Sequence, residues 1–149
     1  MKKVMFVCTG NICRSAMAHG ILEKLAREKG KEIEVYSCGT SAVSGEGATY
    51  SSIEALKEYD VDITSHKSTH ILESNIEEMD LILCATENHK RYISQIYPGL
   101  KDRIYTMKEY ADSEEKDKDI RDPFGYDIET YRNCCKIIYE TIEKTLDKI

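Results

Sequence analysis

A cysteine and an arginine separated by five residues stand near the start of the chain, in the segment Cys8-Thr9-Gly10-Asn11-Ile12-Cys13-Arg14-Ser15. Five intervening residues allow the backbone to curl so that successive N–H groups converge on one anion, and a helix that follows adds its positive amino-terminal end. The planar guanidinium of Arg14 can grip two phosphate oxygens at once. The spacing therefore indicates a phosphate cradle with a nucleophile, Cys8, inside it.

Each residue type in this segment suits one part of that chemistry. Positive surroundings favour the thiolate of Cys8, which is the form that attacks phosphorus. Gly10 permits backbone angles that other residues resist, and Ser15 can donate its hydroxyl to the thiolate and later to the departing sulfur. The alternative, from spacing alone, is a tight turn between a strand and a helix that contains Cys and Arg by chance.

The flanking sequence predicts a strand before this segment and a helix after it. An apolar run over 3–7 predicts a buried strand, and apolar residues at helical spacing over 15–29, followed by Gly30, predict a helix. Later patterns predict strands at 32–37, 80–85 and 103–107, and helices at 51–59, from Thr86 to Pro98-Gly99, and after Asp127.

Strands that alternate with helices predict an α/β fold. We expect a single domain over residues 1–149, with a central, mostly four-stranded, parallel twisted sheet and helices on both faces. In such sheets ligands bind where the carboxyl ends of strands meet the amino ends of helices. The fold therefore predicts that the phosphate-binding loop after the first strand is the functional site.

Composition limits the classes of function. The chain has 149 residues with 27 acidic and 21 basic side chains, a net charge of −6, and no apolar run of membrane-spanning length. We therefore expect a cytoplasmic protein that binds neither nucleic acid nor membrane, without a signal peptide. The six cysteines include no Cys-x-x-Cys pair and the histidines complete no zinc spacing, so we expect free thiols, no metal and no cofactor.

The segment Val7-Cys8-Thr9-Gly10-Asn11-Ile12-Cys13-Arg14-Ser15 resembles the signature of the low-molecular-weight protein tyrosine phosphatase family, Val-Cys-x-Gly-Asn-x-Cys-Arg-Ser. Every fixed position matches, and the resemblance extends across essentially the whole chain. It implies hydrolysis of phosphorylated proteins through a phosphocysteine on Cys8, with Arg14 binding phosphate and inorganic phosphate as product. The residues that it implies for substrate and phosphate binding are Thr9, Gly10, Asn11, Ile12, Cys13, Ser15 and Phe124.

The pair Asp122-Pro123 precedes the last predicted helix. The mechanism needs an acid to protonate the leaving atom and a base to activate the water that hydrolyses the phosphocysteine. Taken alone, the pair indicates a turn in a solvated acidic loop. The resemblance instead implies that Asp122 is this acid and base, with Pro123 stiffening the loop and Phe124 forming a wall of the substrate slot.

The resemblance also implies two supporting residues, Ser37 and His66, that hydrogen-bond to Asn11 and keep the cradle in shape. Asn11 needs this support because an asparagine in a tight anion-binding loop adopts a left-handed backbone. Taken alone, His66 indicates a surface or packing histidine and Ser37 a strand end. The remaining histidines receive no role.

Two substrates compete within the family. Arginine phosphatases, a subgroup of it, are favoured by Thr9, Thr86, residues 106–110 and residues 122–125. Against them stands Ile12, because arginine phosphatases usually carry threonine there and tyrosine phosphatases isoleucine. We expect a preference for phosphotyrosine, since Ile12 should face the atom that joins phosphorus to the substrate.

Two further readings are weaker. An arsenate reductase of the same fold needs a relay of two more cysteines after the central strand, and only Cys84 is present there. A phosphate-binding module without catalysis would not need Cys8 and Asp122 together. The spacing also allows a disulfide between Cys8 and Cys13 after oxidation, or a Cys13 that only packs behind the loop.

Overall fold

Strands and helices alternate along the chain in the computed structural model, which describes all 149 residues. The strands are β1 (Lys2–Cys8), β2 (Ile33–Gly39), β3 (Leu81–Cys84) and β4 (Ile104–Thr106). The helices are α1 (Arg14–Glu28), α2 (Tyr50–Lys57), α3 (Glu87–Ile96), α4 (Met107–Tyr110) and α5 (Ile128–Leu146), with short 3₁₀ turns at Ile71–Glu73, Ile76–Glu78 and Pro98–Arg103. All the predicted strands and helices are present, and their ends differ from the prediction by a few residues.

The four strands form one parallel sheet in the order β2-β1-β3-β4. Strand β1 pairs with β2 from Lys2 opposite Ile33 to Cys8 opposite Gly39. Because parallel strands all end at the same edge of a sheet, Cys8 lies where the carboxyl ends meet the amino ends of the helices. The predicted α/β fold with its loop after the first strand is confirmed.

Helices cover both faces of the sheet because side chains alternate along each strand. Val4 and Phe6 of β1 belong to the larger core, against α1 and α5, whereas Met5 and Val7 belong to the smaller core on the opposite face. The longest helix, α5, buries one side only, and no helix combines the length and the apolar character that crossing a membrane requires.

Two predicted helix caps are present. The Thr86 hydroxyl accepts a hydrogen bond from the backbone N–H of His89 at the start of α3, and the Asp127 carboxylate accepts one from Thr130 at the start of α5. Such caps satisfy backbone donors that have no partner inside the helix. The cap on α3 brings His89 to the same edge of the sheet as Cys8.

Candidate active site

A cleft of about 190 Å³ opens where β1 runs into α1. The residues that line it are Cys8, Thr9, Gly10, Ile12, Cys13, Arg14, Asp122 and Phe124. All eight belong to the set predicted from the sequence. The other two predicted loop residues, Asn11 and Ser15, are buried and support the loop from within.

The sulfur of Cys8 is held by donors of the loop that follows it. Its Sγ lies 2.9 Å from the Ser15 hydroxyl oxygen and accepts a hydrogen bond from the backbone N–H of Asn11 at 3.3 Å. Helix α1 begins at Arg14, so the positive end of its dipole lies at this loop. These groups stabilise a negative sulfur.

The side-chain amide of Asn11 determines which way the Ser15 hydroxyl points. The Asn11 Oδ1 atom accepts from the backbone N–H of Thr69 at 2.9 Å, so the amide nitrogen faces Ser15 and donates to its oxygen at 2.7 Å. The proton of the Ser15 hydroxyl is thereby left for the sulfur of Cys8. This arrangement agrees with the donor role predicted for Ser15.

The backbone of Asn11 has a φ of 56°, which is the left-handed conformation predicted for it. The His66 Nε2–H donates to the Asn11 carbonyl oxygen at 2.7 Å, since a carbonyl can only accept. Burial lowers the pKa of His66 and favours the neutral ring. The backbone freedom expected of Gly10 is not used, because Gly10 has no positive φ.

The predicted contact between Ser37 and Asn11 is wrong. The Ser37 hydroxyl pairs with Nδ1 of His19 at 2.8 Å. Ser37 stands two residues after Val35 in β2, and alternation points both side chains to the face that α1 covers, where His19 lies. The partner of the Asn11 carbonyl is His66, and that of its side-chain oxygen is the backbone of Thr69.

Arg14 is 4% exposed and has one nitrogen without a partner. Its Nη1 donates to the carbonyl oxygen of Ile120 at 2.9 Å, and its Nη2 lies 3.6 Å from Oδ2 of Asp122. Its Nε is buried and donates to no atom of the protein. Buried charged donors are rarely left unpaired, and an oxyanion in the cleft would supply the missing acceptor.

The loop before Asp122 is attached to the turn between β3 and α3. The Ile120 N–H donates to the carbonyl oxygen of Ala85, and the Glu87 N–H donates to Oδ1 of Asp119, both at 2.8 Å. The segment that leads to Asp122 is therefore held at the same sheet edge as the cysteine loop.

Asp122 itself is half exposed, and its two oxygens have different surroundings. Oδ1 accepts from the backbone N–H of Phe124 at 3.1 Å, whereas Oδ2 faces Arg14. Phe124 is 59% exposed at the rim of the cleft, where an apolar ring gains from being covered by a ligand. The carboxyl is thus open to a substrate and to water.

The remaining cysteines differ from Cys8 in their surroundings. The Cys13 thiol contacts the Tyr131 hydroxyl at 3.4 Å, and burial raises its pKa. Cys84 is fully buried in the core on the other face of the sheet, and burial raises its pKa strongly. Burial likewise raises the pKa of Cys134 to about 12. A thiol relay through Cys84, as an arsenate reductase would need, is therefore not built here.

Sequence reasoning missed three residues that shape the site. Gly39 lies directly under the loop, Thr69 orients the Asn11 amide, and His89 hydrogen-bonds to Thr9 at 2.9 Å. For Gly39 the only signal in the sequence was a glycine two residues after the strand predicted at 32–37. Thr69 and His89 carry none, because their roles depend on which loops the fold places together.

A parallel sheet whose first strand ends in this cysteine loop, opposite an aspartate on a second loop, defines the architecture of a phosphatase. The model of the family "Low molecular weight phosphotyrosine protein phosphatase" matches residues 3–149. The chain belongs to this family, whose members act on phosphorylated proteins. The predicted class of enzyme is confirmed.

Individual relatives represent both predicted subgroups. The chain is 36% identical over 129 residues to the protein-arginine-phosphatase of Bacillus subtilis, covering 87% of this chain and 84% of that protein. It is 32% identical over 143 residues to a low molecular weight protein-tyrosine-phosphatase of Staphylococcus epidermidis, covering 95% of each. The crystal structure of the low molecular weight protein tyrosine phosphatase from T. tengcongensis has a TM-score of 0.93 at 35% identity and covers 100% of both chains.

Proposed function

We propose that this protein hydrolyses phosphotyrosine in proteins by passing the phosphoryl group first to Cys8 and then to water. Two observations made together carry the proposal: the sulfur of Cys8 is held by the Ser15 hydroxyl and the Asn11 N–H, and Arg14, which lines the same cleft, has an Nε that donates to no atom of the protein. The donors around the sulfur support a thiolate nucleophile, and the unpartnered nitrogen of Arg14 supports a bound oxyanion.

In the first step the Cys8 thiolate attacks phosphorus, a bond forms between sulfur and phosphorus, and the bond from phosphorus to the tyrosine oxygen breaks. Asp122, protonated at this stage, gives its proton to that departing oxygen. Arg14 and the backbone N–H groups of the loop neutralise the charge on the phosphoryl oxygens. The products are a dephosphorylated tyrosine side chain on the substrate protein and a phosphocysteine at Cys8.

In the second step a water molecule attacks the phosphocysteine. The Asp122 carboxylate takes a proton from the water, and the bond between sulfur and phosphorus breaks. The Ser15 hydroxyl, whose proton points at the sulfur, stabilises the departing thiolate. Inorganic phosphate leaves, and Asp122 has regained the proton that it donated in the first step.

The choice of phosphotyrosine rests on the walls of the cleft. Ile12 and Phe124 both line it, and two apolar walls suit an aromatic ring. The guanidinium of phosphoarginine would leave its N–H groups partly unpaired beside Ile12, at a cost of about 1–3 kcal/mol each.

The net charge of −6 supports proteins rather than nucleic acids as partners, and the cytoplasmic location expected above remains part of this proposal.

Protein arginine phosphatase is the second candidate. Its support is the 36% identity to the Bacillus subtilis enzyme of that name, together with a polar hydroxyl, that of Thr9, at the cleft. The two candidates share every step above except the atom that leaves phosphorus, which would be a guanidinium nitrogen.

The test is a side-by-side assay on two peptides of the same sequence, one with phosphotyrosine and one with phosphoarginine. We expect a higher kcat/KM on phosphotyrosine; faster turnover of phosphoarginine would replace the first candidate with the second.

A second experiment tests the nucleophile. The Cys8→Ser protein should turn over neither peptide, because a hydroxyl is not ionised at neutral pH, and should still bind phosphate. Cys134→Ala, which removes a buried thiol outside the cleft, is the matched control and should stay active.

A further inference from the structure

His89 joins the cleft to the start of α3 through both of its ring nitrogens. Nε2 lies 2.9 Å from the Thr9 hydroxyl oxygen, and Nδ1 lies 2.8 Å from the Thr86 hydroxyl oxygen. The ring is 7% exposed, so water does not compete freely for these bonds. Burial and the nearby Arg14 guanidinium lower the pKa of His89 to about 4, so the neutral ring carries a single N–H.

The hydrogen-bond partners of Thr86 decide which nitrogen carries that proton. The Thr86 oxygen already accepts from the backbone N–H of His89 at 3.2 Å, and its own proton has no protein acceptor other than Nδ1. When Thr86 donates to Nδ1, the ring proton lies on Nε2 and is donated to Thr9. The opposite tautomer would leave the Thr86 proton without an acceptor in the protein.

This arrangement leaves the hydroxyl proton of Thr9 free. Thr9 directly follows the nucleophile and lines the cleft, and its backbone oxygen is held by the Ser41 N–H at 2.9 Å. With Nε2–H donating to its hydroxyl oxygen, the proton of Thr9 has no acceptor in the protein and can be donated toward the cleft. Thr9 shares this cleft with Cys8 and Arg14, so its hydroxyl is placed on the wall of any phosphoryl group bound there.

We propose that the Thr9 hydroxyl donates a hydrogen bond to an oxygen of the bound phosphoryl group, and that His89 is the positioning residue that turns this proton into the cleft. The proposal deepens the phosphatase function proposed above, since it rests on phosphate occupying the same cleft. It does not depend on which substrate supplies the phosphoryl group.

The test measures binding of inorganic phosphate by calorimetry to the Cys8→Ser protein, which separates phosphate binding from turnover. In this background Thr9→Val removes the hydroxyl and keeps the shape, and we expect the Kd to rise tenfold or more, as for a lost hydrogen bond to a charged group. Thr9→Ser keeps the donor and should stay within about threefold of the Cys8→Ser parent. An unchanged Kd in Thr9→Val, or no phosphate binding by the parent, would overturn the proposal.

The role of His89 is tested by a double-mutant cycle with Thr9. His89→Gln should raise the Kd when Thr9 is present and should add nothing when Thr9 is already valine, because the histidine acts through that hydroxyl. An equal loss in both backgrounds would show that His89 only supports the fold and would overturn its positioning role. Asn88→Ala, at the exposed neighbouring position of α3, is the control and should leave the Kd unchanged.

The two proposals fail in different ways. Suppose that the native protein turns over no phosphopeptide, but that phosphate binding by the Cys8→Ser protein still depends on Thr9. The phosphatase proposal would then be wrong, and the donor role of Thr9 would stand. Full turnover with a phosphate Kd that is indifferent to Thr9 would do the reverse. Thr9 is exposed, so its valine variant is not expected to impair folding.

Discussion

The backbone oxygen of Thr9 lies so close to Gly39 that a Cβ at Gly39 would stand 2.4 Å from it, and 3.0 Å from the backbone nitrogen of Asn11. Strand β1 ends with Cys8 opposite Gly39, and the phosphate-binding loop folds directly over the end of β2. The Thr40 and Ser41 N–H groups hold this contact by donating to the carbonyl oxygens of Cys8 and Thr9. The shape of the cradle therefore depends on a residue without a side chain on the neighbouring strand.

We expect Gly39→Ala to displace the loop. The added methyl group meets backbone, which cannot move aside as a flexible side chain would, so the free energy of unfolding should fall by about 1–3 kcal/mol. The kcat/KM for an aryl phosphate should fall more than the stability does, because the loop N–H groups lose their aim. Chemical denaturation and steady-state kinetics measure the two effects. Gly99→Ala, where a Cβ meets nothing within 4 Å, is the control, and equal losses in both variants would contradict this account.

Asp122→Ala should slow the hydrolysis of substrates with poor leaving groups far more than that of substrates with good ones. The carboxyl is half exposed and its Oδ2 faces Arg14, where it can reach the leaving oxygen of a substrate held by that guanidinium. We expect kcat to fall by about 10²–10⁴-fold on a phenyl phosphate and much less on nitrophenyl phosphate. A series of aryl phosphates of graded leaving-group pKa measures this, with Glu114→Gln as an exposed acidic control in the same segment. An equal loss along the whole series would mean that Asp122 shapes the site without transferring a proton.

Ile12→Thr should shift the substrate preference toward phosphoarginine. Ile12 lines the cleft, and its backbone oxygen is held by the Thr49 N–H at 3.0 Å, so the exchange alters the wall without releasing the loop. We expect the ratio of kcat/KM for phosphoarginine over phosphotyrosine to rise by tenfold or more, about 1.4 kcal/mol in the transition state. Ile137→Thr, at an exposed position of α5, should leave the ratio unchanged. A constant ratio in Ile12→Thr would remove Ile12 as the specificity residue.

Acid should destabilise the protein through His89. Its pKa is lowered from 6.5 to about 4 in the folded chain, so the unfolded chain takes up a proton between these values and the folded chain does not. The free energy of unfolding therefore keeps its full value above pH 6.5 and falls as the pH falls toward 4. At about 1.4 kcal/mol per pH unit, the total loss reaches about 3 kcal/mol. Urea unfolding of the native chain and of His89→Gln at several pH values isolates the contribution of His89 to this pH dependence. Parallel pH profiles for the two proteins would contradict the assignment.

Short-range patterns in the sequence determined the fold class and most of the candidate site. The alternation of apolar runs with helical spacing is local, so it predicted β1, α1 and the caps Thr86 and Asp127 without knowledge of contacts. The cradle was predictable for the same reason, since Cys8 and Arg14 lie in one continuous loop at a strand end. Asp122 came from the resemblance, because an aspartate before proline taken alone indicates a turn.

Only the tertiary structure decided the contacts that cross between elements. Arg14 is held by the carbonyl oxygen of Ile120, 106 positions away, and Thr9 by His89, 80 positions away. The resemblance paired Ser37 with Asn11, but its partner is His19, because the side chains of β2 at this position face α1. Strand order and register decide which loops meet at the sheet edge, and these follow from the packing of the whole core rather than from any local segment.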